Sequence, residues 1–427
     1  MTKRSWIGIG IAVVLLAVLA FSAYRGLTKN KYTKYTDSFF DTFDTIITVV
    51  AYTQSGAEFD EHFQRIRDRF TEFHRLYDIY HSYEGLNNVK TVNDNAGVSP
   101  VKVDKDLIDL VLFSKEWYTK TDGKTNIAMG PVLRIWHNYR EEALLDPAKA
   151  RIPPIDLLSK AAQLTNLDKV IIDRDESTIY LADRGMSLDL GAVAKGYATE
   201  IVAREAQAGG LDSAIISSGG NVRAMGKPQD GVRERWGIGL QDPQKSILSE
   251  GDNMLDVVYL NNASVVSSGD YQRYYMVGDK MIHHLIDPVT LMPGDYYHAV
   301  TVVTADSGLA DFLSTTLFLT PYEEGRRLVE DLDGVEALWA MMDGTVAMTD
   351  GMQAIAASGG ASGGKPAEPV LVPGCSRENV SRRTRHSSDY SGYCLPPVKT
   401  FRGRDYPLPL VVPIRVSVVR QHLTAAG

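Results

Sequence analysis

Val170-Ile171-Ile172-Asp173-Arg174-Asp175-Glu176-Ser177-Thr178-Ile179-Tyr180-Leu181 sets two β-rich runs on either side of a charged, turn-forming centre. Short branched runs split by such residues read as an antiparallel hairpin. Just beyond, Ser187-Leu188-Asp189-Leu190-Gly191 leads into a helix expected over residues 193–208, which Gly209-Gly210 ends. Outward from this segment the same alternation recurs. Residues 31–37 are polar, and residues 39–52 form a β-rich run centred on Ile46-Ile47-Thr48-Val49-Val50. Further strands are expected at 214–217, running into Gly219-Gly220-Asn221, and at 236–240, 257–260, 264–267 and 274–277. Phe59, Phe63, Ile66, Phe70, Phe73 and Leu76 recur every three or four residues, the spacing of an amphipathic helix over 58–80. Helices are also expected at 105–118, 156–164, 309–318 and 323–332. Several hairpins among packed helices give an α+β fold with mixed, largely antiparallel sheets rather than a doubly wound one.

At 427 residues, 44% of them hydrophobic, the chain can bury a large core. Its formal net charge of -8 argues against nucleic acid as a partner, because phosphate contacts require a basic stripe. An anionic ligand must then be held by local donors or a metal. The only cysteines are Cys375 and Cys394, so residues 1–374 contain no internal disulfide. Lys3 and Arg4 precede an uncharged, mostly apolar run over residues 6–23. It reads as the core of a signal peptide or as a membrane anchor, and either would export the remainder. Residues 1–30 are therefore expected to be that segment. The protein is expected at the extracytoplasmic face of a bacterial cell membrane, anchored or periplasmic.

Composition changes after about residue 351. Ser358-Gly359-Gly360-Ala361-Ser362-Gly363-Gly364 reads as a linker, and eight of the eighteen prolines lie beyond it. Residues 352–427 carry ten Lys plus Arg against four Asp plus Glu. The expected organisation is one large catalytic unit over 31–351 and a poorly ordered basic tail over 352–427; a small domain stapled by the two cysteines is the alternative.

Five constellations carry chemistry. His283-His284-Leu285-Ile286-Asp287-Pro288 follows Ser267-Ser268-Gly269-Asp270-Tyr271-Gln272-Arg273, so a proton-transfer group, hydroxyls, carboxylates and a cation crowd into 22 residues. On a strand the two histidines point to opposite sides, so at most one enters a site. His284, oriented by Asp287 or another carboxylate, could be a general base; a structural histidine is the plain alternative. In Asp189-Leu190-Gly191-Ala192-Val193-Ala194-Lys195, a carboxylate and a permissive glycine open a helix bearing Lys195, which suits an anion, although Asp189 could simply cap the helix. Ser217-Ser218-Gly219-Gly220-Asn221 could hold backbone donors against a phosphate, or form an ordinary turn. Asp311 and Thr315 share a helix face, and their oxygens suit Mg²⁺; otherwise they serve the helix itself. Asp122-Gly123-Lys124-Thr125-Asn126 could line a cofactor or merely connect helices.

Taken together and in this order, DLGAVAKGYA, SSGGN, SSGDYQRYY, HHLIDP and ADFLSTTLF resemble motifs of the ApbE family of FAD:protein FMN transferases, over residues 39–342. Phe40-Asp41-Thr42-Phe43-Asp44-Thr45 is similar to the family's first strand. The resemblance implies Mg²⁺ held by Asp311, Thr315 and the backbone carbonyl of Ala192. It implies FAD contacts from Phe43, Lys124, Thr125, Asn126, Asp189, Lys195 and Leu285, with His284 as catalytic base. It further implies that a Ser or Thr hydroxyl of an acceptor protein attacks the FMN phosphorus and that AMP leaves. Two departures stand out. The family usually has Phe-Asp where this chain has Thr125-Asn126, and Asn supplies no charge. It often has T-G-x-P where this chain has Thr290-Leu291-Met292-Pro293, so a different turn is expected there, since leucine does not adopt a positive φ cheaply. A Mg²⁺-dependent FAD pyrophosphatase and an exported protein that only holds FAD are the rival readings.

Overall fold

The computed structural model describes residues 31–245 and 253–362. The apolar run at 6–23 and both cysteines lie outside these residues. Among the described residues no helix is long and apolar enough to cross a membrane.

The chain opens with strands β1 (Thr33–Thr42) and β2 (Thr45–Thr53), then helices α1 (Gly56–Tyr77) and α2 (Val89–Asp94). Strand β3 (Val101–Lys102) precedes helices α3 (Lys105–Lys120), α4 (Gly130–Leu145) and α5 (Ile155–Ala162). The hairpin read from the sequence is β4 (Val170–Asp173) and β5 (Thr178–Leu181), followed by α6 (Ala194–Ala208). Strands β6 (Ala214–Ser218), β7 (Asn221–Met225), β8 (Trp236–Gln241), β9 (Met254–Leu260), β10 (Ser264–Gly269), β11 (Tyr274–Val277), β12 (Lys280–His283) and β13 (Tyr297–Thr304) come next. Helices α7 (Ser307–Phe318) and α8 (Tyr322–Glu330), strands β14 (Glu336–Met341) and β15 (Val346–Met348), and helix α9 (Asp350–Ile355) complete the described fold.

Eight strands form the central sheet in the order β1-β2-β6-β7-β10-β13-β14-β15, and every neighbouring pair is antiparallel. The expected α+β fold is thus what forms. Its middle is buried on both sides. Ile47, Val49 and Ala51 of β2 join Ile216 of β6 in a core with α1, α3 and α6. Val50, Tyr52 and Ile215 point the other way, onto Trp236 and Val258 of the β8–β9 ribbon. Strict alternation of side chains makes a strand with two buried faces read as continuously apolar, which is why residues 46–50 stood out.

Two expectations change, and one helix was not anticipated. The run over 39–52 is two strands and not one: Phe39–Thr42 end β1, Phe43 and Asp44 turn the chain with φ of 53° and 50°, and β2 begins at Thr45. The polar residues before it belong to β1, an edge strand with mostly exposed side chains. Residues 130–145 form a helix opened by Pro131, whose missing N–H costs nothing in a first turn. Finally, the boundary expected at 351/352 falls inside α9: Met352 and Ala356 are fully buried against the β8–β9 ribbon, and Ala357 donates its N–H to the Val257 carbonyl at 2.8 Å. Apolar contact there overrides the small-residue composition, so residues 352–361 belong to the folded unit.

A buried ion pair ties the layers beneath the site. Glu200 of α6 accepts from Arg223 Nε of β7 at 2.9 Å and from the Ser307 N–H at the start of α7 at 2.9 Å. Both side chains of the pair are almost fully buried. Removing one member would strand the other charge in the interior, at a cost of about 3–5 kcal/mol. Glu200→Ala is therefore expected to lower unfolding free energy by about that amount, measured by urea denaturation against wild type.

Candidate active site

Residues distant in sequence converge on one cleft with an interior of about 320 Å³. All eleven candidate residues line it: Phe43, Lys124, Thr125, Asn126, Asp189, Ala192, Lys195, His284, Leu285, Asp311 and Thr315.

Close helix packing builds the end of the cleft that holds Asp311 and Thr315. Helix α6 crosses α7 at Gly196, whose N–H donates to Asp311 Oδ2 at 2.8 Å. A Cβ at residue 196 would lie 2.3 Å from the Ser307 carbonyl oxygen and 2.4 Å from Asp311 Cβ, so only glycine permits the approach. Thr315 lies one turn after Asp311, next to the bonded hydroxyls of Ser268 and Ser314, 2.8 Å apart. Asp311 and Thr315 are both buried. Burial raises the Asp311 carboxyl, against the pull of Lys195, and lowers the Lys195 ammonium, against the pull of Asp311. Among the described residues neither makes an ion pair within 4 Å. A buried carboxylate without a cationic contact, a threonine hydroxyl and a main-chain carbonyl form a hard-oxygen donor set that fits Mg²⁺. Beside them lies the buried side-chain amide of Asn221, which works with the Gly196 N–H to draw the Asp311 carboxyl down against the effect of burial.

The β11–β12 hairpin places His284 in the cleft. Tyr274 pairs with His283 and Tyr275 with Ile282, so the next pair outward is Arg273 with His284. His284 Nδ1 lies 3.2 Å from the Arg273 carbonyl oxygen. A carbonyl only accepts, so Nδ1 carries the hydrogen and Nε2 keeps the basic lone pair. The orienting group is thus a backbone carbonyl and not a carboxylate. Asp287 is engaged elsewhere: it pairs with Lys124 Nζ at 2.9 Å and accepts from the Val289 and Thr290 N–H groups. His283 is structural. Its Nε2 donates to the Gly294 carbonyl at 2.7 Å, its Nδ1 accepts from the Leu285 N–H, and its ring meets Phe318 edge-on.

The Lys124-Thr125-Asn126 loop offers less side-chain chemistry than expected. Thr125 Oγ1 bonds Thr316 Oγ1 of α7 at 2.8 Å, and the Asn126 amide bridges the Thr165 carbonyl and the Ala128 N–H. Both side chains are spent on fixing the loop. Nor does the Thr290-Leu291-Met292-Pro293 turn avoid left-handed backbone: Leu291 adopts φ of 62°. Its side chain is buried beside Trp136 and Ile286, and its carbonyl accepts from Trp136 Nε1 at 3.0 Å. That packing offsets a local strain of about 1–2 kcal/mol.

The opposite wall was not read from the sequence as functional. Phe43, at φ of 53° and with its N–H donating to His74 Nδ1 at 3.2 Å, lines the same cleft as Tyr80, His137 and Arg140. His137 and Arg140 stand three apart on α4, a same-face spacing that could have flagged them, and their side chains touch at 3.0 Å. Half-buried Asp189 caps its own turn through the Gly191 N–H, and burial raises its carboxyl.

Comparison with known proteins agrees with this geometry. The sequence matches the ApbE family model over residues 43–339. The chain belongs to the ApbE family. It is 32% identical over 273 residues to the FAD:protein FMN transferase of Treponema pallidum, covering 61% of this chain and 72% of that protein. It is 30% identical over 274 residues to the enzyme of the same name from Klebsiella pneumoniae, covering 62% and 80%. Among solved structures, the ApbE protein of Thermotoga maritima superposes with a TM-score of 0.64 at 25% identity, over 76% of this chain and 99% of that one. The flavin transferase ApbE of Vibrio cholerae, at 20% identity, shares the fold with a TM-score of 0.62. This ApbE protein is accordingly an enzyme of the transferase class, and its family's matched region contains every residue of the cleft.

Burial, first, and then the positive charges of Arg273, Arg140 and Lys195 hold the His284 imidazole well below its usual value. Its neutral form therefore persists to lower pH than that of a free histidine. In the free protein, ¹H–¹⁵N spectra of the ring should show His284 titrating clearly below pH 6.5, and a midpoint at or above that value would contradict this electrostatic picture.

Proposed function

We propose that this protein transfers FMN from FAD to a Ser or Thr hydroxyl of an acceptor protein, releasing AMP, with Mg²⁺ as its metal. One observation carries the reading: a neutral imidazole with a fixed tautomer lines the same cleft as a buried, unpaired carboxylate and Lys195. An alcohol near its ordinary pKa needs a base as it attacks phosphorus, and Nε2 of His284 is free to take that proton. A new O–P bond forms while the pyrophosphate P–O bond breaks, and AMP departs with the bonding pair. Lys195, at the start of α6, would meet the negative charge gathering on the phosphoryl oxygens. Asp311, Thr315 and the Ala192 carbonyl would hold the ion, which supplies Lewis-acid stabilisation and orientation of the pyrophosphate when bound. Phe43, Leu285, Asp189 and the 124–126 loop would form walls for the rest of the dinucleotide.

The names of the Treponema pallidum and Klebsiella pneumoniae relatives support the choice of FAD and of a protein acceptor. The apolar run at 6–23 motivates the location: the extracytoplasmic face of the membrane, by anchor or after cleavage. The acceptor would then be a flavoprotein subunit of a membrane or extracytoplasmic redox system.

Incubating the protein with FAD, Mg²⁺ and a candidate acceptor should raise the acceptor's mass by one FMN. Release of FMN and AMP with no labelled acceptor would identify a pyrophosphatase instead, and FAD binding with neither product would identify a carrier. His284→Ala is expected to abolish transfer, by about 10²-fold or more, while leaving FAD affinity within a few-fold. A matching loss of FAD binding would make His284 structural.

A further inference from the structure

Arg273 stands at an unusual point of the β11–β12 hairpin. Cross-strand partners in an antiparallel pair project to the same face. Tyr275 and Ile282 are such a pair, both buried and both lining the cleft. One step outward on that face come Arg273 and His284, also cleft residues. The residue therefore acts through two separate groups. Its carbonyl holds His284 Nδ1. Its guanidinium, exposed at the cleft, has no hydrogen bond or ion pair among the described residues. Of the neighbouring cations, Lys124 is neutralised by Asp287, and Arg140 is shared with His137 and Glu141. Arg273 thus keeps all five donors uncommitted in a chain whose net charge is -8.

We propose that Arg273 is a catalytic residue of the transfer reaction, its guanidinium binding the non-bridging oxygens of the phosphoryl group that the acceptor hydroxyl attacks, on the same face as the base. The proposal rests on the reading above that FAD's pyrophosphate is the reacting group. A planar fork matches two phosphate oxygens, and a base and a phosphate donor at the facing ends of one hairpin, joined by the contact between the His284 ring and the Arg273 carbonyl, are held in register. The bond changes are those already given: the hydroxyl oxygen joins the FMN phosphorus, AMP leaves, and the proton passes to His284 Nε2. Arg273 supplies no proton; it meets charge that grows as the P–O bond lengthens. The same charge acts on His284, which is faced by Arg273 across the hairpin, Arg140 of α4, Lys195 of α6 and the adjacent His283.

Arg273→Gln and Arg273→Lys test this, since both keep the backbone carbonyl and hence the tautomer of His284. Under single turnover, Arg273→Gln should slow FMN transfer by about 10²-fold with a smaller effect on FAD affinity, and Arg273→Lys should recover part of the loss. In the free protein, Arg273→Gln should also move the His284 ring titration to higher pH, because a neighbouring positive charge is gone, whereas Arg273→Lys should leave it near wild type. A wild-type rate in Arg273→Gln, or slowing with an unmoved His284 titration and equal loss in the lysine variant, would overturn the proposal. If the wild type labels no acceptor, the transfer reading fails on its own. The Arg273 comparison is then made on release of FMN and AMP and on the ring titration, with the same outcomes deciding.

Discussion

Everything at the reactive end depends on how closely α6 and α7 approach. With no side chain on Gly196, the backbone of α6 lies against Ser307 and Asp311, and the Gly196 N–H bonds the Asp311 carboxylate. The helix that begins with Ala194 and Lys195 is thereby brought beside the helix that carries Asp311 and Thr315. Glu200, one turn further along α6, secures the crossing from below through Arg223 and the Ser307 N–H. A missing Cβ and a buried anion thus hold together residues more than a hundred positions apart.

Beyond this crossing, the cleft works by limiting solvation. Burial favours the neutral forms of Asp189, Asp311, Lys195 and His284 alike. For the imidazole, neutrality is the useful state. For Asp311, burial without an ion-pair partner disfavours the charged form, a penalty that a bound cation would relieve. The positive charge of the cleft comes instead from its less buried cations, Arg273 foremost, in a protein whose overall charge is -8.

How much of this was legible in the sequence varied with the kind of signal. The hairpin at 170–181 and helix α1 were plain, because their apolar spacing matches one period and polar residues bound them. Tyr297–Thr304 is buried along nearly its whole length as β2 is, but His298 and Thr301 interrupt its apolar run and weaken the signal. The turn at Phe43-Asp44 carries no glycine to announce it, and Leu291 occupies left-handed backbone for the sake of its burial. His284 was identified by its chemical neighbourhood, but its orienting partner was not. A backbone carbonyl has no residue type, so Arg273 acquires its first role from register alone. Thr125 and Asn126 were noticed as a departure in charge, whereas their work is mechanical, tying the loop to α7 and to Thr165.

The far face of the sheet closes last in chain order. Trp236 and Val258 of the β8–β9 ribbon find their remaining cover in Met352 and Ala356, and Arg235 reaches the Ala361 carbonyl at 2.7 Å. Until those residues have been synthesised, part of the ribbon's apolar underside has nothing to close it. The core on this face is therefore complete only once residues near the end of the unit are present, although Val50, Tyr52 and Ile215 of the sheet already cover the ribbon's other contacts.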